Sequence, residues 1–307
     1  MVTPRVYDVV VIGNPAYNVR TDVSDLDAEM IVTSGSVYSA AILAKADITQ
    51  LAIIGAVGER CRDQVITDID RFNIPEHYLI NSNGTIEVSL GNEGAQSVSL
   101  LTAITEIRIR DIPEEFLNTN YVILNPVIRE IHIEFMEWLS TSTDAKILLD
   151  PRFRNVGSNG KALYLTDHHI AEDALQFVDI VKPNHAESII MTGEKDPFLA
   201  AEALVEAGCE TAIITMGGEG SIVFDGSDFY SIPALDGRPV DTTGAGDAYF
   251  AGFVKHLLDG YQLAECGAFA SALAGMVIQS PAGLNFVLNL KEVYQRSRDI
   301  SEAITIR

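Results

Sequence analysis

VVVIG, residues 9–13, is four branched apolar residues stopped by a glycine, and the pattern recurs along the chain. LAIIG (51–55), YVILN (121–125), ILLD (147–150), DIVKPN (179–184) and AIITMG (212–217) are equally short and end in Gly, Asn, Asp or a turn. Continuous apolar runs of this length suit strands buried on both faces, and that burial requires a mostly parallel sheet covered by helices. Longer segments with helical periodicity lie between the runs. The predicted fold is therefore three-layer α/β/α, as one domain over residues 1–307. In open sheets of this kind ligands bind just beyond the carboxyl ends of the strands, so the polar residues that end each run should converge on a site.

Two stretches break the rhythm. Residues 18–34, NVRTDVSDLDAEMIVTS, and 84–102, GTIEVSLGNEGAQSVSLLT, show partial alternation, and Gly91-Asn92-Glu93-Gly94 is a turn signal. They are expected to form a small β-sheet standing off the main one, either a lid over a site or an ordinary edge hairpin. If that sheet leaves an apolar face exposed, a homodimer joined through the lids is the expected assembly.

The chain has 307 residues, 47% of them hydrophobic, which excludes a disordered chain. Forty-three acidic against 21 basic residues give a net charge of −22, so nucleic acid and anionic membrane surfaces are excluded as general partners. The cysteines, Cys61, Cys209 and Cys266, form no CxxC pair, which fits a reducing cytoplasm. No cleavage-site pattern follows the first residues, and no apolar stretch approaches the ~20 residues that span a bilayer.

Residues 240–253, VDTTGAGDAYFAGF, carry the chemistry. Phe250, Phe253, Val254, Leu257 and Leu258 recur at the spacing of one buried helical stripe, which places Asp247 in the first turn of a helix. Gly244, Ala245 and Gly246 then lie at the helix N-terminus, where N–H groups lack intrahelical partners and the macrodipole favours an anion. An aspartate there is also ordinary capping chemistry, worth only ~0.3–1 kcal/mol, so the motif alone leaves both readings open.

The wider pattern resembles the ribokinase family, the PfkB carbohydrate kinases. DTTGAGDAYFAGF is similar to that family's C-terminal signature, SGSVYSAAILAK (34–45) with IIGAVGERCRDQVITDIDRFNI (53–74) to its N-terminal glycine-rich region, LDPRFR (149–154) to its Asp-Pro-x-x-Arg segment, KPNHAE (182–187) to its Asn-x-x-Glu, and TMGGEG (215–220) to its nucleotide-side glycine turn. The resemblance implies ATP-dependent phosphorylation of an alcohol group on a sugar, nucleoside or related polyol. It makes Asp247 the general base and residues 244–246 the anion hole, and it places Asn184, Thr215, Gly217, Gly218 and Gly220 at the nucleotide. Glu187 would serve Mg²⁺. Asp241 and Thr243, with the loop SPAGLN (280–285), resemble the segment that holds a monovalent cation such as K⁺ in some members. At the acceptor end it implies Asn14, Asn18, Gly35, Ser39 and Arg154, with Arg152 left undecided.

Several of these positions have simpler readings. Asn184 and Glu187 also spell a capping box, and residues 215–220 also suit a plain turn between two strands. The acceptor end departs from the family pattern, with Ser34-Gly35 for the usual Gly-Gly, Ser39 for Asn, Asn18 for Asp and Glu59 for Asp. These changes leave the identity of the acceptor open. His168-His169 suggests a metal only superficially, since adjacent residues point in different directions. A non-catalytic sugar or nucleotide sensor on the same fold is the alternative. A dinucleotide-dependent dehydrogenase fits less well, because GNPAYN (13–18) is not GxGxxG.

Overall fold

The computed structural model describes residues 6–19, 30–82, 86–90, 96–100, 105–128, 130–152, 154–156, 162–164, 173–280, 284 and 287–307, with the backbone alone at 18–19, 30–34, 86–90, 96–100, 154–156 and 162–164. The described strands are β1 (Tyr7–Ile12), β2 (Ala16–Val19), β3 (Met30–Ser34), β4 (Leu51–Gly58), β5 (Glu76–Ser82), β6 (Ile86–Leu90), β7 (Gln96–Leu100) and β8 (Thr119–Leu124). They continue as β9 (Lys146–Leu149), β10 (Arg154–Val156), β11 (Ala162–Tyr164), β12 (Ile180–Val181), β13 (Thr211–Thr215), β14 (Ser221–Phe224), β15 (Phe229–Ile232) and β16 (Thr305–Ile306). The main helices are α1 (Gly35–Lys45), α2 (Glu59–Arg71), α3 (Ile133–Ser142), α4 (His185–Thr192), α5 (Pro197–Glu206), α6 (Ala245–Leu258), α7 (Leu263–Ile278) and α8 (Leu290–Glu302).

Among the described residues the main sheet has ten strands in the order β16-β15-β14-β13-β12-β9-β8-β1-β4-β5. Every pairing from β13 through to β5 is parallel, and β13 to β16 form an antiparallel edge. The apolar runs are buried on both faces by simple alternation. Val9, Val11, Ile53, Ile123, Leu148 and Ile213 pack with residues of α1, α2, α6, α7 and α8. Val10, Ile12, Ile54, Val122, Leu149 and Ile214 pack with residues of α3 and α5 on the opposite side. The result is the three-layer α/β/α arrangement that the runs predict, with a mostly parallel sheet.

The register carries the argument on to the site. Ile12 stands beside both Ile54 and Leu124, and Leu124 beside Leu149. The ladder then continues one residue past the strands: Asn125 N–H donates to Ile12 O at 2.8 Å, Asp150 N–H to Leu124 O at 3.0 Å and Lys182 N–H to Leu149 O at 2.9 Å. Three polar side chains that are far apart in sequence are thereby set in a row at the carboxyl edge of the sheet.

The two stretches outside the rhythm supply a separate four-stranded sheet in the order β3-β2-β6-β7, with β2/β3 and β6/β7 antiparallel and β2/β6 parallel. Residues 91–94, the expected turn, lie outside the described residues, as do the side chains on which a dimer through the lid would depend. The spacing along α6 predicts a single buried stripe, and here the structure differs. Ala248 through Val254 are all buried, whereas Leu257 and Leu258 are only half-buried. Helix α6 packs against both α1 and α7, so more than one of its faces is covered. Among the described residues, no helix is long and apolar enough to cross a membrane.

Candidate active site

Helix α6 begins where Gly244 adopts a left-handed conformation at the N-cap, with φ +78°. A Cβ there would lie 2.0 Å from Tyr38 Oη, so the turn excludes any larger residue twice over, by backbone conformation and by contact. Tyr38, itself buried in α1, donates from its hydroxyl to Thr243 O at 3.1 Å and ties α1 to the turn. Ala245 N–H bonds to Thr242 O at 3.2 Å. The N–H groups of Gly244, Gly246 and Asp247 have no backbone partner among the described residues, so of residues 244–246 only Ala245 has its N–H engaged.

Asp247 is 3% exposed and both of its oxygens are engaged. Oδ1 accepts from Ser39 Oγ at 2.7 Å and from Asn125 Nδ2 at 3.0 Å, and Oδ2 accepts from Arg152 Nη2 at 2.8 Å. Burial pushes the carboxyl pKa up, but the Arg152 guanidinium and the bonds from Asn125 and Ser39 outweigh it and hold the group below its ordinary value. Asp247 is therefore a buried, ionised carboxylate.

Asp150 lies beside it. Its Oδ1 accepts from the buried Lys182 Nζ at 2.9 Å, and its Oδ2 is 3.5 Å from Arg152 Nη2. Lys182 Nζ also stands 5.4 Å from the centre of the Phe250 ring and 3.5 Å from where a Cβ on Gly246 would sit, so a positive charge flanks the helix end. Glu187 completes the group. Asn184 caps α4 by accepting from Glu187 N–H, and Glu187 Oε2 accepts from Asn184 N–H, both at 2.9 Å. Burial and the neighbouring Asp150 push the Glu187 carboxyl up, partly offset by Asn184 N–H, Lys182 and Arg152. The capping box is present as the simpler reading expects, and it holds a buried carboxylate at the site.

A cavity of about 340 Å³ adjoins this helix end, lined among others by Thr215, Gly217, Gly218, Gly220, Ala245 and Gly246. That size lies within the ~300–1,000 Å³ of small-molecule sites. A Cβ on Gly217 or Gly218 would meet nothing within 4 Å, so both glycines border open space. Residues 215–220 do connect two antiparallel strands, β13 and β14, and the turn also forms a cavity wall.

The remaining candidates fall into place less uniformly. Gly35 starts α1 at φ +78°, with a would-be Cβ 2.1 Å from Asn14 O. Asn14 is buried with its amide already occupied, Oδ1 accepting from Ala56 N–H at 2.8 Å and Nδ2 donating to Thr105 O at 3.2 Å, so an acceptor hydroxyl would compete with those bonds. Asp241 Oδ1 accepts from Thr243 N–H at 2.8 Å, while most of the loop 280–285 lies outside the described residues. The side chains of Asn18 and Arg154, and His168 and His169 altogether, also lie outside them. Sequence reasoning missed Asn125, Asp150 and Lys182 as site residues, although the polar ends of YVILN, ILLD and DIVKPN were the available signal.

The site thus sets a buried carboxylate behind free N–H groups at a helix end of a three-layer α/β/α fold. The profile of the pfkB family carbohydrate kinases matches residues 114–288, more than half of the chain, so this chain belongs to that family. It is 24% identical over 305 residues to a ribokinase of Lactococcus lactis, covering 95% of this chain and 94% of that one. It is 32% identical over 158 residues to a cytidine kinase of Thermococcus kodakarensis, a match covering 50% of this chain and only 54% of that protein. Among solved structures, a pyrophosphate-dependent kinase in the ribokinase family, complexed with a pyrophosphate analogue and myo-inositol, superposes with a TM-score of 0.77 at 20% identity, covering 94% of this chain and 99% of that one. Arabidopsis thaliana ribokinase complexed with ribose and ATP gives 0.72 at 21%, covering 96% and 99%. At these identities the structural likeness establishes the fold.

Proposed function

We propose that this chain transfers the terminal phosphoryl group of ATP to a hydroxyl of a sugar, nucleoside or related polyol. The observation that carries the reading is the single helix end that joins an ionised, buried Asp247, unpartnered N–H groups at Gly246 and Asp247, and a cavity of about 340 Å³. In this reading Asp247 takes the proton of the acceptor hydroxyl. The hydroxyl oxygen forms the new bond to the γ-phosphorus, the bond from that phosphorus to the β-phosphate bridging oxygen breaks, and ADP leaves. The helix N–H groups and Lys182 face the charge that builds on the moving phosphoryl group.

A nucleotide suits the donor side better than bare pyrophosphate. The cavity extends past the glycine turn to Leu235, Pro239 and Ile278, apolar surface that a base and ribose cover and pyrophosphate does not. Among the described residues, Asp150, Glu187 and Asp247 set three carboxyl groups against two cations, Lys182 and Arg152. Mg²⁺ fits that imbalance, and it would neutralise phosphate charge. Among the described residues no cluster of three carboxylate, His or Cys ligands forms a cage, which agrees with an ion held largely by phosphates and water near Glu187 and Asn184.

The test is a coupled assay of ADP release with Mg²⁺ and ATP across ribose, cytidine, other nucleosides, myo-inositol and sugar acids, with pyrophosphate as a parallel donor. Turnover of one acceptor class with ATP supports the reading. Turnover with pyrophosphate alone would overturn the donor, and absence of turnover with ATP bound would favour a sensor.

A further inference from the structure

Asp247 is held on both oxygens. Ser39 and Asn125 bond to one and Arg152 to the other, so an acceptor hydroxyl would have to share Oδ2 with a guanidinium that lowers its basicity. The two holds differ in kind. Ser39 and Asn125 are neutral donors on buried elements of the fold, and Asn125 is fixed in the sheet ladder by its own N–H. Arg152 is a cation on the segment after β9, and an incoming anion competes directly for it.

A second seat for the guanidinium already exists. Asp150 Oδ2 is buried and makes no hydrogen bond among the described residues, yet it lies 3.5 Å from the same Nη2 that bonds to Asp247. Lys182 pins the other Asp150 oxygen at 2.9 Å, so the carboxylate waits in place. Closing that distance to a charge-assisted hydrogen bond of ~2.7–2.9 Å takes a shift of under about 1 Å.

The geometry points to Arg152 as a two-position residue: it holds Asp247 idle until the donor's terminal phosphoryl group arrives, then moves onto Asp150 and that group, freeing Asp247 Oδ2 for the acceptor hydroxyl. Arg152 is thus a positioning residue for the base. The inference rests on the proposed role of Asp247 as base. Among the described residues, the charged groups that face Arg152 include Asp247 from α6, Asp150 from the end of β9 and Glu187 from α4, and Lys182 reaches the pair through Asp150. With Arg152 on Asp247 the carboxylate is held below its ordinary pKa, and departure of the guanidinium restores basicity in the direction catalysis needs.

The decisive experiment is a crystal structure of the wild-type chain with Mg²⁺ and the non-hydrolysable ATP analogue AMP-PNP, which needs no knowledge of the acceptor. The expected result is Arg152 Nη2 in hydrogen bond with Asp150 Oδ2 and no longer within the ~3.2 Å of a hydrogen bond to Asp247 Oδ2. An Arg152–Asp247 pair intact with the analogue in place overturns the inference, and so does failure of the analogue to bind, since the trigger then has no seat. Alongside it, the acidic limb of kcat/KM for acceptor-independent ATP hydrolysis, which reports the enzyme before the donor arrives, is measured for wild type, Arg152→Gln and Asp247→Asn. Arg152→Gln should move the limb up by roughly 1–3 pH units, the shift an arginine imposes on a neighbouring aspartate, and an unmoved limb counts against the device. Asp247→Asn hydrolysing at the wild-type rate would remove the base and this inference together. An inactive Asp247→Asn with an immobile Arg152 would remove only the inference.

Discussion

Gly244→Ala gives the strictest test of how the helix end is built. The left-handed conformation at φ +78° costs an alanine about 1–2 kcal/mol. The new methyl would sit 2.0 Å from Tyr38 Oη and 2.1 Å from Cζ, far inside contact distance, and the ring is 1% exposed, so it has no solvent into which to swing. Overpacking of this kind typically costs ~1–3 kcal/mol, and a displaced Tyr38 also loses its bond to Thr243 O, a further ~1 kcal/mol. The total is roughly 3–6 kcal/mol. Urea denaturation read by linear extrapolation measures it. Because one term is a contact with Tyr38, the Tyr38→Ala and Gly244→Ala changes should be non-additive by about 1–3 kcal/mol in a double-mutant cycle. A loss below ~1 kcal/mol for Gly244→Ala, or simple additivity, would refute the packing argument.

Other changes separate folding from function. Gly218 borders open space and has no positive φ, so Gly218→Leu should shift stability by no more than ~0.5 kcal/mol while raising the KM for ATP, as kinetics paired with a thermal melt would show. Glu187 has a raised pKa, so the folded state takes its proton more readily than the unfolded chain, and the ionised group weakens folding near neutral pH. Glu187→Gln should therefore raise the melting temperature there, with the gain closing as pH falls through the raised pKa, and it should increase the Mg²⁺ needed for half-maximal turnover. His256 is buried against Phe269 and Tyr261, and burial lowers its pKa from 6.5 to about 4. The unfolded chain binds that proton first, so stability is full above 6.5 and falls as pH drops from 6.5 toward 4, a slope that His256→Phe should flatten in denaturant titrations.

The sequence makes the layers legible because burial on both faces leaves an unbroken apolar run, and β1, β4, β8, β9, β12 and β13 carry such runs. The lid strands are legible by the opposite sign, alternation. The site is readable only in part. Asp247 is visible because helix periodicity and a glycine turn are local signals. Asn125 and Arg152 meet Asp247 across as many as 122 residues of sequence, and Asp150 and Lys182 join them through Arg152, by the register of β8, β9 and β12 at the sheet edge. Periodicity cannot supply that register. Arg152 and Arg154 look alike in DPRFR, and only the tertiary arrangement shows that Arg152 bonds to the carboxylate. Asn14 illustrates the converse, a polar residue at a strand tip whose amide is engaged by Ala56 of β4 and by Thr105.

The central claim is that Asp247 is the base of a phosphoryl transfer, and turnover of Asp247→Asn tests it most directly. With ATP, Mg²⁺ and the best acceptor of the panel, kcat should fall by about 10²–10⁴-fold, the usual contribution of a positioned base, while ATP binding measured by calorimetry stays near wild type. An Asp247→Asn variant that turns over at the wild-type rate would contradict the account, whatever acceptor it uses.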